Sequence, residues 1–488
     1  MASKSLWRSA RPLVVGRAIS AVVGLALPAV LARLLDRGQY GTYKQVYLVA
    51  NLATYSLQLG LAQSLFYFIP RGRTDEERRP FIAQALVSLS LLGVLTGSGL
   101  VAFGPFIARH FSNPDLGRLT LPVALLAGSL LASAPLEIGL TAQGKPEWSA
   151  TALVVSDLVR VTAMLAAILT GHGLTGLVWA AALAALARWV ATLVLFGGAF
   201  RSLPTWSSIK VQLAYALPFG VAVLLRQQQL QLHQVYIAAR ATPALFALYA
   251  VGCTQIPVVS LLYSPVSETL QVRLAALDRA SETSKSAQLF VEAVEKLATA
   301  FLPLSALLIA TARPVIEILF GAKYAAAAPV MRIAVVAVAV QSLPVDAVLK
   351  ARARTPTLFL TYAGKLAVTW PALAVGWTLD GMTGVIAAHV GVDLLSKLAQ
   401  LLIVAVDLEV GMADLLGGRA MLRTIAAAMA GGTLGAAVTG LVHEPLLACL
   451  LAGPATISFS AWDYLDRRRR ARRGPPKEAQ DLGRGQAA

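Results

Sequence analysis

The chain is built of apolar blocks about twenty residues long, separated by short polar gaps. Twenty helical residues rise about 30 Å, the thickness of a bilayer's hydrocarbon core. In lipid no water satisfies peptide N–H and C=O groups, so each block must form a helix or the chain must close into a barrel. Barrel strands read as ten-residue alternations of apolar and polar side chains, and none occur here. The sequence therefore predicts an all-α integral membrane protein with about fourteen spanning helices. They are placed near 12–35, 42–69, 81–104, 119–142, 148–170, 174–198, 213–237, 245–267, 290–312, 328–349, 357–378, 384–406, 424–442 and 446–464. Charged residues fill only 14% of the 488 positions, against about 25% in a soluble domain. That is too few to coat a water-facing surface of this size, so no soluble domain of any size is expected.

The net charge of +17 would suggest nucleic acid as a partner in a soluble protein. Here topology accounts for it. Lys and Arg cluster at alternate gaps: Arg71, Arg73, Arg78 and Arg79, then Lys145, then Arg201 and Lys210, then Arg273, Arg279 and Lys285, then Lys350, Arg352 and Arg354, then Arg419 and Arg423. The intervening gaps are poor in them, and the richer side is cytoplasmic. Both termini fall on that side, which requires an even number of spans. The N-terminal apolar run is too long for a signal-peptide core and reads as the first helix. Cys253 and Cys449 both lie in apolar blocks and imply neither a disulfide framework nor a metal site.

The two halves repeat. At an offset of 206, Pro12 falls on Pro218, Tyr40 on Phe246 and Tyr43 on Tyr249. At 209, Pro105, Ile107 and Phe111 fall on Pro314, Ile316 and Phe320, and Ser133-Ala-Pro135-Leu-Glu137 falls on Ser342-Leu-Pro344-Val-Asp346. Six spans per repeat is an even number, so the repeats share one orientation, and a substrate site is expected between them. The expected organisation is an N-lobe at 1–200, a C-lobe at 201–420, two additional helices at 421–465 and a basic cytoplasmic tail at 466–488.

A charge at mid-span costs about 2.5–3.5 kcal/mol on insertion scales, so each needs a reason. Arg160 has Asp157 three residues earlier and is expected to pair with it. For Arg188, for Lys397 at nearly the equivalent place in the second repeat, and for Arg17, snorkelling toward the cytoplasm and a role inside the protein stand as alternatives. Asp393 has His389 and Lys397 as candidate partners at helical spacing. Arg17 lies in the first helix. Arg226 is central in the seventh, with no acid within a turn. It opens the most polar run of any span, Arg226-Gln-Gln-Gln229-Leu-Gln-Leu-His233-Gln234. Arg226, Gln229 and His233 share a face, which is expected to line a wet cavity, with Asn51, Tyr55 and Gln58 of the second helix and Gln255 of the eighth. Such a cavity is net positive and suits an anion. Arginine matches phosphate in bidentate geometry.

Gly171-His-Gly173-Leu-Thr-Gly176 spells a dinucleotide fingerprint, but no strand precedes it, so it reads as a turn. There is no P-loop, no metal-ligand spacing and no Ser-His-Asp grouping. Neither catalysis nor a cofactor or metal is expected.

Ala32-Arg33-Leu-Leu-Asp-Arg-Gly38-Gln-Tyr40-Gly41-Thr-Tyr43, followed by Leu59-Gly60-Leu61 and running to Pro70-Arg71, resembles the opening of Wzx-type polysaccharide flippases of the MATE-like exporter superfamily. Phe246-Ala-Leu-Tyr249-Ala-Val-Gly252 and Ile316-Glu-Ile-Leu-Phe320-Gly321-Ala-Lys-Tyr324 resemble the second-half signatures. The resemblance implies two six-helix lobes around a cavity that opens alternately to each side. It implies a bacterial inner-membrane flippase for undecaprenyl-diphosphate-linked oligosaccharides, in O-antigen, lipopolysaccharide or exopolysaccharide assembly, with a polysaccharide polymerase and glycosyltransferases as partners. A related branch flips the peptidoglycan lipid precursor and carries cavity arginines in places comparable to Arg17 and Arg226. It also has two additional C-terminal helices associated with the lipid tail. The alternative within the superfamily is a cation-coupled multidrug antiporter. Drug exporters commonly have an acid in helix one, where this chain has Arg17.

Overall fold

The computed structural model describes residues 2–201, 205–279 and 282–473. Among these residues the chain is helical throughout, with no strand. The basic tail expected at 466–488 lies outside the described residues from 474 onward. Ten helices are long and apolar enough to cross a membrane, or up to twelve if each of two bent pairs is one span. The expected count of about fourteen is not reached by this measure, for two physical reasons.

The first is a merger. Thr355–Leu408 counts once, yet its 54 residues would extend roughly 80 Å as one helix. It is broken at Asp380 and Gly381, whose dihedrals are non-helical. Gly381 has φ 52° and ψ −127°, a conformation open to glycine and strained for any other residue. The chain folds back there so tightly that a Cβ on Gly384 would lie 1.9 Å from the carbonyl oxygen of Gly376. The second reason is polarity. The expected span 42–69 is the helix Arg37–Leu57 followed by Leu61–Arg71, interrupted at Leu59 and Gly60, which have positive φ. Arg37–Leu57 is too polar to count as an apolar span, carrying Gln39, Thr42, Lys44 and Gln45, and it buries Tyr40, Thr42 and Gln45 inside the protein. Its start is fixed by Asp36 and Gln39, which form a reciprocal capping box.

Contacts divide the chain into two compact units. The first comprises residues 1–251 and 362–385, the second 252–361 and 386–488. In the first unit, helix Ala2–Leu34 packs on Pro146–Leu169, with Gly16 against Ala150. Asp75–His110 begins at the Thr74 cap with Asp75, Glu76 and Glu77 in its first turn, where the helix dipole favours them. It packs on Thr120–Ala132. Leu65, Ile69, Leu86, Leu136 and Phe196 form one core cluster. The long helix Trp206–Ala238 starts at the Thr205 cap and meets Arg37–Leu57 along its length. At Gly60 the approach is so close that a Cβ would be 2.5 Å from the Ala216 carbonyl oxygen.

In the second unit, Thr283–Ala310 carries the helix Gly418–Leu441 on its flank, and that helix pairs with Pro445–Arg473. Small residues set the crossings, as in lipid-embedded helix pairs. Gly431 lies against the Thr456 carbonyl, Gly432 against Ala306. Arg423 closes the C-terminal pair by binding Asp463 at 3.2 Å and Asp466 at 2.8 Å.

Candidate functional site

A polar network crosses three helices of the first unit. Arg160 donates from Nη2 to Asp157 Oδ1 at 2.7 Å, the pairing expected from their spacing. The other oxygen of Asp157 accepts from the Ser20 hydroxyl on the first helix. Tyr47 stands beside Arg160, its hydroxyl 3.6 Å from Met164 Sδ. Arg160 is thus already neutralised within the protein. Arg17 lies one turn before Ser20 but is exposed, next to the buried Gly16.

The polar run of helix Trp206–Ala238 separates into two kinds of residue. Gln229 and His233 are 3% and 6% exposed and occupied by protein partners. Gln229 donates to the Tyr362 carbonyl, and His233 Nδ1 lies 2.7 Å from the Tyr249 hydroxyl. Gln228 donates to Ser56 Oγ at 2.6 Å. Arg226, in contrast, is exposed. Among the described residues neither Arg226 nor Arg17 forms an ion pair. Asn51 is half-buried, and Gln255 is exposed in the break between Pro243–Gly252 and Pro257–Arg279. Gln255 belongs to the second unit, the other six candidates to the first.

Two long-range ion pairs were not visible in local sequence spacing, and one cation–ring contact was. Arg188 does not snorkel: its Nη2 donates to Glu137 Oε2 at 2.7 Å. Lys397 does not snorkel either, and binds Asp346 Oδ2 at 3.1 Å. Lys44, within the second helix, lies 5.5 Å from the Tyr40 ring and 5.9 Å from the Tyr43 ring. The signal for Lys44 was present in its spacing from Tyr40, four residues earlier on the same helix face, where a ring can meet a cation.

The second unit holds an apolar cavity of about 760 Å³ between Thr283–Ala310 and Gly418–Leu441, lined by residues such as Leu302, Ile309, Met429 and Ala436. Two cations border it, Arg313 and Arg332. Arg313 is bound to Glu317 at 2.8 Å. Among the described residues no group of His, Cys, Asp or Glu is placed to hold a metal ion.

This helical architecture is that of known membrane transporters. The chain is similar to the lipid II flippase MurJ in an inward closed conformation, at 13% identity, 93% of this chain and 98% of that one, with a TM-score of 0.71. It is also similar to an inward-facing multidrug resistance MATE family transporter of the MOP superfamily, at 14% identity, 81% and 98% coverage and a TM-score of 0.63. A mutant of the Vibrio cholerae MATE transporter VcmN matches at 14% identity, 83% and 97% coverage and a TM-score of 0.57. At these identities the likeness is one of fold. No curated protein matches the sequence. The model of the polysaccharide biosynthesis protein family matches residues 30–329, and the chain belongs to that family.

Proposed function

We propose that the protein flips an undecaprenyl-diphosphate-linked oligosaccharide from the cytoplasmic to the periplasmic leaflet of the bacterial inner membrane, by alternating access. The observation that carries this is the exposure of Arg17 and Arg226 within membrane-length helices, with no carboxylate paired to either among the described residues. A cation in a low-dielectric setting needs an anion, and a diphosphate supplies oxygens that arginine binds in bidentate fashion. Arg160 stays committed to Asp157 and supports the wall rather than the substrate. The apolar cavity beside Gly418–Leu441 has the chemistry to hold part of a polyprenyl tail. The direction is favoured energetically, since a negative charge leaving an inside-negative cell gains about 2.3 kcal/mol per 100 mV.

The test is a clean deletion in the native host. The strain should lose a surface polysaccharide and accumulate its lipid-linked repeat in the inner leaflet, with resistance to cationic dyes unchanged. Intact polysaccharide together with lowered dye tolerance would transfer the protein to the multidrug antiporter class. A cationic drug would meet Arg17 and Arg226 as like charges, which is why the flippase is favoured.

A further inference from the structure

Glu137–Arg188 and Asp346–Lys397 are the same pair twice. Glu137 and Asp346 are 209 positions apart, and so are Arg188 and Lys397. Within each pair the partners are 51 residues apart. The surroundings repeat at the same offset. Each acid follows a helix break, Ser133-Ala134-Pro135 in one half and Ser342-Leu343-Pro344 in the other. Each proline lacks the N–H that would continue the ladder. Each serine turns its hydroxyl back to a carbonyl three residues earlier, Ser133 to Leu130 at 3.2 Å and Ser342 to Ala339 at 2.7 Å. All four charged side chains are largely enclosed, between 15% and 21% exposed. Four matched residues at one offset, making the same bonds in the same places, are one device built twice.

The device has a physical purpose. A proline break leaves a spanning helix free to bend at that point. The ion pair ties the residue just past the break to a helix two spans further on. It is a single-point contact in the first half: Glu137 Oε1 and Arg188 Nε have no hydrogen-bond partner among the described residues. A point charge therefore suffices, and Lys397 does in the second half what Arg188 does in the first.

We infer that these two pairs are positioning clasps. Each holds its proline-broken helix at one angle, so that this helix and its charged partner move as one body during transport, and neither pair binds substrate or carries a proton. Breaking one partner leaves a buried charge unanswered, whereas removing both or exchanging them does not. Glu137→Gln alone should lower transport per inserted molecule by about tenfold or more. Arg188→Lys, the double change Glu137→Gln with Arg188→Gln, and the exchange Glu137→Arg with Arg188→Glu should each return it to within about threefold of wild type. Asp346→Asn should lower transport less than Glu137→Gln, because Asp393 also faces Lys397, and the exchange Asp346→Lys with Lys397→Asp should restore it.

A second measurement needs no substrate and stands whatever the cargo is. Nitroxides at the exposed Leu121 and Leu195, with Cys253 and Cys449 replaced, report the bend by pulsed electron resonance. Wild type should give one narrow distance distribution, Glu137→Gln a broad one, and the exchange a narrow one again. Failure of the double change and the exchange to restore transport would show that a member of the pair acts alone, as a ligand or proton carrier. An unchanged distance distribution in Glu137→Gln would show that nothing is clasped. Either result overturns the inference.

Discussion

An arginine inside hydrocarbon persists only where something answers its charge. Arg160 is answered by Asp157, and that pair was legible because helical spacing places residues three apart on one face. Arg188 and Lys397 are answered from 51 residues away, a distance that only packing closes, so local spacing could not find the partner. Gln229 and His233 illustrate the opposite limit. Their polarity on one helix face signalled that lipid was excluded, but polarity does not distinguish water from a hydrogen-bonded neighbour, and their neighbours are Tyr362 and Tyr249. Arg226 remains exposed. Arg226→Ala should abolish complementation of a deletion strain while inserted protein stays near the wild-type level by immunoblot. Arg226→Lys should keep part of the activity, since charge survives and bidentate geometry does not. Full complementation by Arg226→Ala would make the residue structural.

At the scale of the element, apolar block length located most helices, because the bilayer fixes how long a span must be. It was less informative about interruptions. The bend after Pro243–Gly252 and the break at Gly60 depend on where one backbone crosses another, which block length does not encode. Two such contacts in the first unit are Gly41 against the Pro243 carbonyl and Gly384 against Gly376. Gly384→Val would drive a side chain into the Gly376 carbonyl, and overpacking of this kind costs about 1–3 kcal/mol or more. The purified variant should melt several degrees below wild type in a thermal-shift measurement. Gly364→Ala serves as the control, because a Cβ there meets nothing within 4 Å. Equal melting of the two variants would mean that the fold-back is not tight in the membrane.

For the whole molecule, the duplication was the most informative signal, since it implied two like-oriented repeats before any contact was known. The clasp residues repeat at the offset of 209 found in the sequence. Sidedness follows from charge. The gap 71–80, rich in arginine, is expected inside, and 313–327 outside. Single cysteines in these gaps of an otherwise cysteine-free chain, treated in intact cells with an impermeant maleimide, should label only at 313–327. Labelling at 71–80 from outside would reverse the orientation.

The fold-back at Asp380–Gly381 bears on how the protein is made. With Gly376 and Gly384 already in contact, almost no chain lies between the two arms. A turn this short favours release of the two arms from the translocon as a hairpin. In that route the segment carrying Lys365, Asp393 and Lys397 would enter the bilayer as one unit, its turn leading.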